Sequence, residues 1–197
     1  MKKQKIDVTI DDSGEYAKSP VYYAIQCVEL IKSKVEVLPN LKPLTLLLKK
    51  LISNNLLNNS FFGTSYVIKS IGGLCSYGLI LMISAYLNMV PYSPSVAHSF
   101  LEVLRFYGAE FDNKTMLIVN GDYIVHVDSR QEFLDGNAVV YDPLRSGVNV
   151  AMNVTKFQEI KECFLTAYNK LLQLKAEYSP DRNVKILDFV LNSSPIK

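Results

Sequence analysis

The chain has 197 residues, 49% of them hydrophobic, with 21 basic and 19 acidic side chains and a net charge of +2. That size and apolar content suit one domain, or two small lobes, around a real core, and the charge is too small to mark a nucleic-acid binder by itself. Cys27, Cys75 and Cys163 lack Cys-x-x-Cys spacing and His98 and His126 are the only histidines, which argues against a disulfide framework, a zinc site or a His-based metal cluster and for a reducing compartment.

The opening MKKQKIDVTIDD has no apolar core after its basic start, so no signal peptide is expected. From Lys5 to Asp11 the pattern alternates: Ile6, Val8 and Ile10 face one way, Asp7, Thr9 and Asp11 the other, as in a half-buried strand. One strand is not stable alone, so the rest of its sheet is expected outside this chain. Asp7 lies on the polar face, where a carboxylate can help hold divalent metal; the plainer reading is a solvated strand edge. Asp11 shares that face at about 7 Å along the strand.

Ser19-Pro20 starts a helix expected to run to about Lys34. LKPLTLLLKKLI follows, with Leu41, Leu44, Leu48, Leu51 and Ile52 at helical spacing, then an Asn-rich loop over 54–60. Lys49, emerging from this apolar helix, could reach a phosphate as a point charge; an ordinary amphipathic boundary is the alternative. The stretch 61–73 is ambiguous, and Gly72-Gly73 breaks the chain before a helix over 74–90. That helix opens on Ser76-Tyr77. Ser76 could donate to phosphate near a helix start and Tyr77 could stack on a base, or the pair could be an N-cap serine and a core tyrosine. From Ser70 through Ser99 there is no Asp, Glu, Lys or Arg, and 74–90 approaches the length of a membrane span. Ser76, Tyr77, Ser84, Tyr86 and Asn88 recur inside it and Pro91 follows, so a central helix buried by its neighbours is expected instead.

Ser93-Pro94 repeats the cap signal, and Gly108 is expected to cap the end of that helix. Short strands are expected over 116–119, 123–127 and 138–141, the first two joined by Asn120-Gly121-Asp122, a hairpin signal. Asp142 and Asn149 flank a loop where they could read base edges or serve the turns at Pro143 and Gly147. Thr155 and Gln158 form a possible capping box, followed by a buried stripe of Phe157, Ile160, Phe164, Tyr168, Leu171 and Leu172. The tail over 178–197 is expected to be peripheral, with a possible short helix at 186–191.

In order, KIDVTI, LKPLTLLLKKLI, GGLCSYGLILM, FLEVLRFYG and YDPLRSGVNV resemble the non-canonical poly(A) polymerases and terminal uridylyltransferases of the DNA polymerase β superfamily. The branch of the TRAMP-type poly(A) polymerases, or DNA polymerase sigma, is the most similar. The resemblance covers most of 5–174. It implies a mainly α fold with a small β insertion: a strand remnant of a truncated catalytic domain over 1–18, a helical central domain over 19–175 with a PAP-associated segment at about 94–150, and a peripheral tail over 176–197. It implies Asp7 as the third catalytic carboxylate and a metal ligand, Lys49 and Ser76 as triphosphate contacts, Tyr77 as the ring under the incoming base, and Asp142 and Asn149 in the base-recognition loop. The Gly-Ser motif and Asp-x-Asp pair that precede the third carboxylate in the family are absent, and the usual Asn-Val-Gly-Arg reads Asn149-Val150-Ala151-Met152. Before Asn149, many uridylyl-specific members carry histidine and adenylyl-adding ones often asparagine; here it is Val148.

The function expected from the resemblance is part of an enzyme that adds AMP from ATP to RNA 3′ ends, with Mg²⁺ or Mn²⁺. The substrates would be an RNA 3′ end and ATP or another nucleoside triphosphate. An RNA-binding or helicase partner protein and a nuclear location, otherwise cytoplasmic, are implied likewise. The alternatives are a degenerate, non-catalytic subunit that binds RNA or protein, a uridylyl-adding enzyme, and a small membrane protein using 74–90.

Overall fold

Pro20 opens α1 (Pro20–Val37) at a position where its missing N–H costs nothing. The computed structural model describes residues 20–55, 57, 72–128 and 137–176, and the backbone alone of 61–62 and 69–70. The strand expected over 5–11, with Asp7, and the helix considered at 186–191 lie outside the described residues.

On α1 Lys34 is buried, Tyr23, Cys27 and Leu30 lie half-buried along the same side and Val35 packs on the core, while Ile25 and Val28 point outward at 45% and 50% exposure. α2 (Leu41–Asn54) follows, and all five leucine and isoleucine positions expected inward are at most 3% exposed. Pro43 is tolerated because the N–H groups of a first turn have no helical partner. Asn40 precedes α2 without capping it; its carboxamide donates to the Ser93 carbonyl (2.7 Å) and to Ser99 Oγ (3.0 Å), tying the start of α2 to the next helix pair. Asn54 belongs to α2 rather than to the loop expected after it. The ambiguous stretch contains a short antiparallel pair, β1 (Phe61–Phe62) and β2 (Lys69–Ser70).

α3 (Ser76–Met89) is the central helix, with Leu79, Leu81, Met82, Ile83, Ser84, Ala85 and Tyr86 all buried. Burial on every side explains its uncharged sequence. At 14 residues it is about 21 Å long, short of a bilayer's hydrocarbon core. No helix among the described residues is long and apolar enough to cross a membrane. The helix stops at Val90, which is extended (φ −106°, ψ 153°) as a residue before proline prefers to be.

α4 (Val96–Arg105) begins two residues beyond the expected Ser93-Pro94 signal. Ser95 takes the cap because its hydroxyl accepts from the N–H of His98 at 3.2 Å. The helix does not end at Gly108 as expected. It runs into a π-helical turn (Phe106–Glu110) closed by Phe111 N–H to the Phe106 carbonyl at 2.7 Å. Gly108 is there for close approach: a Cβ would stand 2.6 Å from the backbone nitrogen of Leu165 on α5 (Phe157–Ala176). The widened turn also stacks Phe106, Tyr107 and Phe111 with Tyr86 and Phe157, neighbouring centroids lying 5.0–5.9 Å apart. Tyr107 donates to the Met82 carbonyl at 2.6 Å, so its buried hydroxyl is satisfied.

The hairpin forms as expected. β3 (Met116–Val119) pairs antiparallel with β4 (Tyr123–His126) through a three-residue link, Asn120-Gly121-Asp122, in which Asn120 (φ 57°) and Gly121 (φ 65°) are left-handed and Asp122 N–H donates to the Val119 carbonyl at 2.9 Å. β5 (Val140–Tyr141) adds to the other side of β3 in parallel, giving the order β4-β3-β5. In α5, Phe157, Ile160, Cys163, Phe164 and Ala167 are buried, but Leu172 is 41% exposed. Continuing the stripe by threes and fours from Ala167 selects Leu171 and Leu174, which pack on the core and leave Leu172 outside.

Candidate functional site

Ser76 and Tyr77 open α3, but neither caps it. The cap is Cys75, whose sulfur accepts from Gly78 N–H at 3.3 Å. Ser76 is therefore the first helical residue, with its hydroxyl exposed beside a helix N-terminus, where N–H groups and the helix dipole favour an anion. Tyr77 is half-buried, its ring resting against the core.

The Tyr77 hydroxyl donates to Asp142 Oδ1 at 3.0 Å, and this carboxylate is the hub of the site. Tyr23 of α1 donates to Oδ2 at 2.7 Å, Arg145 Nε to Oδ2 at 2.8 Å, and the Leu144 backbone N–H to Oδ1 at 3.0 Å. Arg145 Nη2 also donates to the Tyr23 hydroxyl at 3.0 Å, and its guanidinium lies 3.9 Å from the centre of the Tyr23 ring. The Tyr23 and Tyr77 rings meet edge to face at 6.5 Å. The cluster thus joins the first helix, the start of the central helix and the loop after β5.

Asp142 is only 2% exposed. Burial alone would raise its carboxyl, but the bonds from Arg145, Tyr23, Leu144 and Tyr77 outweigh it and hold the group below the usual carboxylate range. The two tyrosines move the other way. Burial first, and the Asp142 carboxylate second, push both phenols well above their ordinary value, so both stay neutral donors.

Asn149 is committed to its loop. Its Oδ1 accepts from Val140 N–H and Ala151 N–H, both at 2.9 Å, and its Nδ2 donates to the Ala138 carbonyl at 3.3 Å. It sits opposite Tyr141 in an isolated bridge that closes the loop begun at Asp142. Lys49 is exposed on α2 and makes no ion pair to any described residue. The structure therefore brings Tyr77 and Asp142 into contact, puts Ser76 beside Tyr77, and leaves Lys49 exposed, with no ion-pair partner among the described residues.

Tyr23 and Arg145 are missing from the sequence-derived set. Nothing in YYAIQC distinguishes Tyr23 from Tyr22, because the contact depends on which face of α1 is turned inward. Arg145 could have been read from Asp142-Pro143-Leu144-Arg145, since a turn there brings the first and fourth residues together. Among the described residues no group of three or more His, Cys, Asp or Glu could hold a metal ion, so the implied Mg²⁺ or Mn²⁺ finds no ligand set in them.

A cavity of about 750 Å³ lies elsewhere, lined by Leu38, Tyr86, Val90, Tyr92 and His98 among others. Val90 and Tyr77 are at opposite ends of α3, roughly 20 Å apart by helical rise.

This is a helical domain carrying a small sheet, with a serine and a clamped tyrosine at the mouth of its central helix. No protein-family model matches the chain. In sequence it is similar to the poly(A) RNA polymerase gld-4 of Caenorhabditis elegans, 27% identical over 165 residues, covering 75% of this chain and 18% of that protein. In fold it is similar to the polymerase core of TRAMP, an RNA surveillance complex, with a TM-score of 0.70 at 21% identity, covering 85% of this chain and 55% of that one. It is also similar to a cytoplasmic RNA terminal U-transferase, with a TM-score of 0.58 at 18% identity, covering 85% and 61%. The sequence likeness to a poly(A) RNA polymerase accords with the resemblance to the non-canonical poly(A) polymerases, and the fold is similar to those of the TRAMP polymerase core and the terminal U-transferase. The chain spans about a fifth of the curated relative and a little over half of each solved one.

Proposed function

We propose that the chain is the nucleotide-binding, helical part of an RNA 3′-terminal nucleotidyltransferase that adds AMP from ATP. The observation that carries this reading is the first turn of α3: an exposed Ser76 hydroxyl at a helix N-terminus, next to a tyrosine ring held by a buried carboxylate. Ser76 and the first-turn N–H groups suit a phosphate, and the Tyr77 ring suits the face of a base. Lys49 is proposed to reach the triphosphate. Asp142 and Asn149 contribute by building the loop under the ring, since their polar atoms are already engaged. The sequence likeness to a poly(A) RNA polymerase supports the reaction class. In that reaction the RNA 3′-hydroxyl oxygen bonds to the α-phosphorus, its proton is lost, and the bond to the departing pyrophosphate breaks.

Asp7 remains the proposed catalytic carboxylate and metal ligand. Because the described residues hold no metal group, no step is routed through one. We propose nucleotide binding without polymerisation by this chain alone, with an RNA 3′ end, an RNA-binding or helicase partner and a nuclear location as in the resemblance. Photocrosslinking with 8-azido-ATP tests the reading: the label is expected on the peptide containing Tyr77 and to be competed by ATP. Labelling only in the cavity at the far end of α3, or RNA extension by the purified chain, would overturn it.

A further inference from the structure

We propose that Tyr23, on α1, is a positioning residue for nucleotide binding, acting through Asp142 to fix the plane of the Tyr77 ring. This rests on the assignment of Tyr77 as the base platform. A carboxylate offers about four lone-pair sites, and Asp142 receives four donors from protein: Tyr23, Arg145, Leu144 N–H and Tyr77. It has no capacity left to read a base edge. Its effect on a nucleotide must pass through the groups it holds.

Of those groups, Tyr77 is the one that offers a stacking surface. A tyrosine side chain turns about two torsions, and a bond from its hydroxyl to a fixed acceptor removes much of that freedom before ligand arrives. The acceptor is fixed in turn. Leu144 N–H belongs to Asp142's own loop, and Arg145 is half-exposed and anchored partly on Tyr23 itself. Tyr23 is the donor from a different element, and it holds Oδ2 at the shortest distance in the cluster, 2.7 Å. Its helix is pinned again eleven residues later, nearly in line on the same face. There the buried Lys34 ammonium meets Asp122 at 2.6 Å and the Gly121 carbonyl at 3.3 Å. Tyr23 therefore ties the base platform to a helix braced at both ends.

The test is titration of the 197-residue chain with ATP, with UTP and with inorganic tripolyphosphate, for wild type, Tyr77→Ala, Tyr77→Phe, Tyr23→Phe and the double Tyr23→Phe/Tyr77→Phe variant. Tyr77→Ala is expected to weaken nucleotide binding roughly tenfold or more. Tyr23→Phe and Tyr77→Phe are each expected to weaken it about three- to tenfold, as loss of one hydrogen bond in a shared path does. The double variant is expected to be no weaker than the single ones, because both remove the same restraint. Tripolyphosphate affinity should not change in Tyr23→Phe, which separates ring positioning from general loss of structure. In ¹³Cζ-tyrosine spectra without ligand, the Tyr77 signal should shift when Tyr23 is replaced. If wild type binds neither nucleotide, or Tyr77→Ala binds as well as wild type, the assignment of Tyr77 fails and this inference with it. If Tyr77→Ala weakens binding but Tyr23→Phe does not, or weakens tripolyphosphate equally, or the two Phe variants add, the positioning role alone is wrong.

Discussion

Replacing Asp142 should reveal how much of the fold hangs on the same carboxylate. Its side chain is fully buried and accepts from a guanidinium, two phenols and a backbone N–H. In Asp142→Ala all four donors lose their acceptor. Arg145 is half-exposed and can turn to water, so its share of the loss is small. The phenols are less free, and a buried donor left unpaired costs about 1–3 kcal/mol. Counting two phenols and discounting the rest gives a loss of roughly 3 kcal/mol, or a fall in melting temperature of about 6–12 °C for a chain of this size. Asp142→Asn keeps one acceptor oxygen and should lose about half as much, while Arg145→Ala should lose about 1 kcal/mol or less. Chemical denaturation at several pH values measures all three. The sign follows from linkage. A carboxyl held below its unfolded value stabilises the fold at pH above that unfolded value, and the contribution is lost as pH falls through the folded value. The gap between wild type and Asp142→Asn should therefore be constant from about pH 5.5 to 8 and close below about pH 4. A loss under about 1 kcal/mol in Asp142→Ala, or an Arg145→Ala loss equal to it, would refute the hub reasoning.

Gly108→Ala should destabilise by about 2 kcal/mol or more in denaturant unfolding, because the added methyl meets the backbone of Leu165, which cannot step aside as a side chain can. An unchanged midpoint would mean that α5 yields there. Ser84→Ala should be neutral or stabilising by up to about 1 kcal/mol, since the buried Ser84 hydroxyl has no hydrogen-bond partner among the described residues and alanine is the better helix former. A marked loss of stability would show that the hydroxyl has a bonded partner.

The helices were legible wherever burial follows a regular period. The leucines of α2 and the first three turns of α5 stand where their spacing puts them, and the Asn120-Gly121 hairpin follows from local backbone preference. What failed to show in the sequence depends on one element touching another. Gly108 reads as a cap until α5 is seen lying against it. Ser93-Pro94 reads as a helix start, but the Ser93 carbonyl is taken by Asn40, just before α2, and the cap passes to Ser95. Leu171 and Leu172 are adjacent and only one can face the core; which one becomes plain once Leu174 is seen packing beside Leu171. The site divides in the same way. The Ser76-Tyr77 pair was visible as a motif, but the clamp on Tyr77 was not, because Tyr23 is 119 residues from its partner Asp142.

The closed loop after β5 also bears on base choice under the proposed function. Of the two polar residues the resemblance assigns to base recognition, Asn149 spends its polar atoms on the loop itself, and Asp142 spends its oxygens on Tyr23, Tyr77 and the loop's own Leu144 and Arg145. Between Asp142 and Asn149, Val148 is 36% exposed, and beyond them Met152 is 66% exposed. The outward position before Asn149, where many uridylyl-specific members carry a histidine, thus offers only a methyl-bearing surface with no donor. An aliphatic side chain separates bases by shape and contact alone, and one such contact is worth far less discrimination than a satisfied hydrogen bond. On this reasoning Val148→His should tighten UTP relative to ATP in the same titrations, because it adds a donor without disturbing the inward face of the loop. An unchanged ratio would mean that selection does not pass through this loop.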